Sequence, residues 1–263
     1  VRGEGARGGE GRGAGPGGAT SAAPVVKPSR GHSSKDVLTL EWDFAVLGGP
    51  AADDAVLQEG RSVAKAKKQA LPRAMAFAEV AGDDPRPLLV MRECGWCEGS
   101  DDALLSSRFE NEKTILLSRW FHPVKLPNHV LEADHSFRNL FDGEAPPHLF
   151  MATRDGELVV GLDGQQSQSE LWDAMDDVME HVYDVDAARN VKKAYKLLDQ
   201  LDMFDEDEDR LRERLDAEIE KKGPGTSRFK KLKKDLDEAL MDRQRVREQL
   251  DGLLSAPIAE LGD

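Results

Sequence analysis

The stretch that most restricts how this chain can fold is "KKGPGTSRF", residues 221–229. Gly-Pro-Gly cannot sit inside a helix, because proline lacks the backbone donor and glycine loses the most entropy on ordering. On either side of it the sequence is strongly helical and charged. After the break, Phe229, Leu232, Leu236, Ala239, Val246, Leu250 and Leu253 fall on a and d heptad positions, with Arg243 as the polar residue of the seam. Before it, Val191, Ala194, Leu198 and Leu201 begin a seam, "DEDED" at 205–209 interrupts it, and Leu211, Leu215 and Ile219 resume it. Two helical arms joined by so short a turn must run antiparallel, so residues 186–263 read as a charged helical hairpin. A helix over 227–254 would be about 40 Å long at 1.5 Å per residue. The acidic run reads as a solvated face or a break, since it lacks the glycine and the spacing of a calcium loop.

The 263 residues carry a net charge of −14, with 39% hydrophobic and 33% charged side chains. That balance argues against binding nucleic acid or anionic membranes non-specifically. No apolar run reaches the roughly 18 residues of a membrane helix. No apolar signal core is visible near the N-terminus, which points to the cytoplasm, with the cell envelope open if the true start differs. Residues 1–35 are rich in Gly, Ala and Arg and are expected to stay disordered, because they cannot bury enough apolar surface to offset ordering entropy. Their Arg-Gly dipeptides are of a kind found in RNA-binding tails, a reading the net charge disfavours.

Between these ends the elements alternate. "VLTLEWDFAV" (37–46) places Leu38, Leu40, Trp42, Phe44 and Val46 on one face, which predicts a half-buried strand. Residues 51–70 read as a polar helix. "LPRAMAFAEVAGDDPRP" (71–87) starts a helix at Pro72 or holds a short strand, and its length does not decide. "PLLVMR" (87–92) predicts a buried strand, and "SDDALLSSRFEN" (100–111) a helix. "TILLSRWFHPVKL" (114–126) contains a helix end and then a strand. "HLFMATRDGELVVGLDG" (148–164) is a hairpin turning at Asp155-Gly156. Ser167 with Glu170 three residues later is a capping box, followed by Leu171, Met175, Val178 and Val182 at helical spacing. The order predicts an α/β fold with a mixed sheet flanked by helices.

Both cysteines lie in "ECGWCEGS" (93–100). Two cysteines can form one bridge, one redox pair or no bond. The run "RPLLVMRECGWCEGS" is similar, without a gap, to the thioredoxin-family strand that leads into a Trp-Cys-x-x-Cys motif. It aligns Trp96 and Cys97 with the family's tryptophan and nucleophile. "EAPPHLFMATRDGELV" resembles the family's cis-proline segment and following hairpin, with Pro147 on the cis-proline. The Cys-x-Trp-Cys form followed by "FHPVKL" looks most like bacterial thioredoxin-like domains of the thioredoxin-7 kind. The resemblance spans roughly residues 71–183 and implies a thioredoxin-like domain over 36–185. It implies thiol chemistry at Cys97, where a helix N-terminus would stabilise a thiolate. Three positions depart from the family. Ser100 stands where the second cysteine would be, leaving Cys94 as the other thiol. Met91 takes the place of the buried carboxylate. Pro146 precedes Pro147 and has no N–H to offer a substrate.

Two functions are therefore open. One is thiol-disulfide exchange or redox sensing through Cys97 and Cys94, with Trp96, Ser100, Pro146 and Pro147 as the binding surface for a protein disulfide. The other is an interaction module in which the hairpin binds a protein partner or a second copy. Neither needs a cofactor. No pair among His122, His129, His135 and His148 has zinc-ligand spacing, so these read as solvated loop histidines and no metal site is expected.

Overall fold

A computed structural model describes residues 26–27, 29–45, 69–93, 101–143, 146–183 and 186–255. The elements run in the order α1 (His32–Val37), β1 (Asp43–Phe44), α2 (Arg73–Ala81), β2 (Leu88–Arg92), α3 (Glu112–Ser118) and β3 (His122–Leu126). After two short 3-10 turns come β4 (Leu149–Ala152), β5 (Val159–Leu162), α4 (Gln168–Val182), α5 (Ala187–Lys222) and α6 (Ser227–Leu254). The five strands form one mixed sheet in the order β1-β3-β2-β4-β5. β1, β3 and β2 are parallel, while β4 pairs antiparallel with both β2 and β5.

Strand alternation sends β2 side chains to opposite faces. Leu89 and Met91 join one core cluster with Leu149 and Met151 of β4, whereas Leu88 and Val90 join the other with Phe150 and Ala152. The first cluster is covered by α3, α4, and the parts of α5 and α6 that carry Leu198, Leu201 and Leu250. The second is covered by α2 and the 3-10 turns, through Phe77, Val130, Phe137 and Leu140. The result is helix, sheet and helix in three layers, the arrangement that buries both faces of parallel strands.

Local signals account for many of these elements. Pro72 caps α2, which is a helix and not a strand. Ser167 accepts from the Glu170 N–H, the reciprocal Glu170 bond is present, and Leu171, Met175, Val178 and Val182 are all buried. In the β4–β5 turn Gly156 has φ +74°, and a Cβ there would lie 2.4 Å from the Phe77 ring, so both conformation and space require glycine. Thr226 and Asp186 cap α6 and α5 through their side chains.

Four expectations are corrected. Residues 26–27 and 29–35 are not a disordered extension. Arg30 is buried and α1 packs on α5, because Arg30 supplies the counter-charge for the buried Glu112. The half-buried strand expected over 37–46 is not formed by residues 37–45: Val37 ends α1, and among the described residues the pairing is limited to Asp43 and Phe44, both exposed. The helix expected over 100–111 is reduced to a turn at 101–105. Asn111 closes the following loop, its side chain accepting from the Ser106 N–H at 2.8 Å and donating to the Ser106 carbonyl at 2.7 Å. Finally, 205–209 is neither a break nor a fully solvated face. α5 runs straight through it, and Asp205 and Glu208 are buried against Arg243 of α6. Residues 46–68, including most of the polar helix expected at 51–70, lie outside the described residues.

α5 and α6 pack against each other. Leu198, Leu201, Val246, Leu250 and Leu254 belong to the main core cluster, so side chains from both sides of residue 185 share it. Leu211, Leu215 and Leu232 form a separate small cluster nearer the Gly223–Thr226 turn. Among the described residues, no helix is long and apolar enough to cross a membrane.

Candidate functional site

β2 is the middle strand of the sheet, and the segment that carries both cysteines begins just past its C-terminal end. In parallel-strand sheets such ends form the crevice where chemistry is usually placed. Cys94, Trp96, Cys97 and Ser100 lie outside the described residues. The residues that bracket them are well anchored. Glu93 donates its N–H to the Leu126 carbonyl at 2.8 Å, at the end of β3. The chain returns at Asp101, whose carboxylate is 2.5 Å from Lys125 Nζ of β3 and accepts from Trp42 Nε1 at 3.1 Å. Lys125 Nζ also stands over the Trp42 ring, 5.2 Å from its centroid. Both ends of the segment are thus tied to the same edge of the sheet.

The antiparallel pairing of β4 with β2 brings the proline pair to this edge. Arg92 donates its N–H to the His148 carbonyl at 2.9 Å, and His148 donates to Leu162 at 3.0 Å. Pro146 and Pro147 directly precede His148, and a Cβ at Gly161 would lie 3.1 Å from the Pro147 ring. Arg92, shortly before the cysteine segment, and His148, directly after the prolines, are therefore neighbours in space although more than fifty residues apart in sequence. Met91, aligned with the family's buried carboxylate, is an apolar core residue.

Two residues at this edge carry charge or protons: Arg92, which was not singled out from the sequence, and His148, which was read there as a solvated loop histidine. Arg92 Nε is buried and has no hydrogen-bond partner among the described residues. Burial lowers the pKa of this guanidinium, which stays charged at neutral pH all the same. His148 is held below the usual imidazole range, first by burial and then by the Arg92 charge, so it is neutral at pH 7. A cation close to a thiol favours the thiolate. Lys125 was legible as an oddity, the single charge in the apolar run "HPVKL". Its partners Asp101 and Trp42 were not, since each lies far away in sequence.

Among the described residues, His122, His129, His135 and His148 do not gather into a ligand set. His122 is buried in β3 and its Nε2 lies 3.2 Å from Asp43 Oδ2, which corrects its reading as a solvated loop residue. His129 and His135 stack with ring centroids 5.1 Å apart. His32, Asp205 and Glu208 do bring three potential ligand atoms within 4.8 Å of one another. Arg243 Nη1 already sits among them, 3.3 Å from Asp205 and 3.2 Å from His32, and pairs with Glu208. The guanidinium supplies the positive charge a metal ion would bring. At the opposite end of β3, a polar cleft of about 310 Å³ is lined by Asp43, Asp84, Arg86, Arg119 and His122. No protein-family model, curated protein or solved structure matches the chain.

Proposed function

We propose that this chain is a thioredoxin-like protein that carries out thiol-disulfide exchange or redox sensing through Cys97. The observation that carries the reading is the sheet order β1-β3-β2-β4-β5, with the cysteine segment leaving the middle strand beside Pro146 and Pro147. It supports the chain order of strand, cysteine segment, proline pair and hairpin that the resemblance implies. In the reaction, the Cys97 thiolate attacks one sulfur of a protein disulfide and the other sulfur leaves as a thiolate. Cys94 then attacks the mixed disulfide at Cys97 Sγ. The substrate leaves with both thiols reduced, and the Cys94–Cys97 pair is oxidised by two electrons. Arg92, two residues before Cys94 in sequence, would favour the thiolate form by its fixed positive charge.

The pH dependence of alkylation tests this. Cys97 should react at neutral pH faster than a free thiol of pKa about 8.5, and Cys97→Ser should abolish the fast phase. A redox titration should show one two-electron transition that is lost in Cys94→Ser. Alkylation no faster than that of a free thiol would refute the reading.

A second reading is favoured by a separate observation. α5 and α6, read here as an antiparallel helical hairpin, pack against each other, and their outer part is held by the small cluster of Leu211, Leu215 and Leu232, apart from the main core. Met203, Ile219 and Met241 are exposed along it. A hairpin of this kind is suited to docking a protein partner or a second copy, with the sheet domain as its scaffold. Met203→Glu with Met241→Glu should abolish such an association and leave thiol reactivity unchanged.

A further inference from the structure

Lys27 and residues 29–34 lie as a strap across α3 and α5, and the way they are held is selective. Arg30 Nε and Nη2 donate to the two oxygens of Glu112 at 3.0 and 2.9 Å. Its Nη1 donates to Asp199 at 2.8 Å and to Asp202 at 2.7 Å. The Arg30 side chain is 2% exposed and that of Glu112 0%. One guanidinium thus satisfies three carboxylates, using the planar fork that lysine lacks.

The next residue is read by shape. Gly31 donates its N–H to Asp202 at 2.8 Å, and a Cβ at this position would lie 2.3 Å from Asp205 Oδ2 and 3.1 Å from Asp205 Cβ. Asp205 cannot easily give way. It accepts from the Ser33 N–H at 2.8 Å and the Ser33 hydroxyl at 2.7 Å, and it faces Arg243. The groove therefore selects arginine by charge and geometry, glycine by space, and serine two residues later by hydrogen bonding.

Downstream the strap is anchored by Val37 and Leu38, which lie in the main core cluster, and the chain beyond them is thinly held. α1 has six residues, Thr39 and Glu41 are exposed, and β1 is a two-residue edge strand with both side chains exposed. Withdrawing the strap would also remove Lys27 and Arg30 from beside Glu110, Glu112, Asp199 and Asp202, leaving a strongly acidic groove.

We propose that the groove between α3 and α5 is a recognition site for an Arg-Gly-x-Ser segment, filled in cis by residues 30–33 and able to take the same segment from a second copy of this chain. The second copy is the occupant because it carries the full Arg-Gly-His-Ser sequence. The chain's other Arg-Gly dipeptides, at Arg2, Arg7 and Arg12, have no serine two positions after the glycine.

The test uses the full chain carrying Gly31→Ala, which crowds its own strap out of the groove while keeping every charge. A fluorescent peptide of residues 26–36 should bind this host saturably. Replacing either the arginine or the glycine of the peptide by alanine should weaken binding at least about tenfold. Mixing the host with a chain carrying Glu112→Gln, which has an intact strap and an impaired groove, should give a heterodimer by sedimentation. If Gly31→Ala lowers the helical content, Arg30→Lys serves as the host, since it keeps a cation beside Glu112. No saturable binding, or equal binding of the alanine peptides, overturns the recognition site. A mixture that stays monomeric overturns the second copy as its occupant.

Discussion

Truncating Leu250 to alanine should unfold the whole molecule more easily, while the same change at Leu232 should loosen only the end of the long helices. Leu250 is 0% exposed and shares one core cluster with Leu198 and Leu201 of α5 and with Leu171, Met175 and Val178 of α4. Cutting a leucine back to alanine at such a site costs about 3–5 kcal/mol, from lost transfer energy plus the cavity left behind. Domains of this size have a total stability of about 5–15 kcal/mol, so the variant would lose a large share of it. Leu232 is 3% exposed, but its buried partners are Leu211 and Leu215, in a cluster separate from the sheet. Its loss should appear as faster local opening and not as a shift of the global transition. Urea denaturation followed by circular dichroism, with amide exchange read by segment, separates the two outcomes. In Leu250→Ala, protection should fall together in β2, β4 and α5. In Leu232→Ala it should fall in residues 211–236 alone. Unchanged protection of β2 and β4 in Leu250→Ala would refute the claim that α6 completes the core of the sheet.

Glu112→Gln should cost about 3–5 kcal/mol at pH 7, because it leaves Arg30 buried without its main counter-charge. Burial alone would push the Glu112 carboxyl up, but hydrogen bonds from Arg30 and the Lys27 backbone, with both their charges, hold it below the ordinary range. The stability it contributes is present above about pH 4.3, the ordinary glutamate value, and is lost as the pH falls through the lower folded value. The gap between wild type and variant should therefore close in acid, as seen in urea midpoints measured across pH. Asp176 is the opposite case. Burial raises its carboxyl pKa, and its Oδ1 has no hydrogen-bond partner among the described residues. Asp176→Asn should stabilise the fold by about 1 kcal/mol at pH 7, and the gain should vanish as the pH falls and the wild-type carboxyl protonates. Gly156→Ala should cost about 2–3 kcal/mol by thermal denaturation, from the left-handed backbone and the clash with Phe77.

The chain's local elements are written in its local sequence. The Ser167–Glu170 box and the spacing of Leu171, Met175, Val178 and Val182 specify α4, because helix caps and faces involve residues three or four apart. Asp155-Gly156 and Gly223-Pro224-Gly225 specify turns for the same reason: the φ angles and hydrogen bonds they control are their own. The sheet order was not legible in this way, since strand pairing is decided by which apolar faces can be covered together. Pairing also brings Arg92 beside His148, which sequence separation conceals. The largest differences concern polar residues. Arg30, Asp205, Glu208 and His122 look solvated in any local window, and all four are buried. A charge can be buried only if a counter-charge meets it, and Glu112 lies 82 residues from Arg30, while Arg243 lies 38 from Asp205. Local periodicity records which side chains avoid water, whereas the tertiary structure decides which charges can leave it.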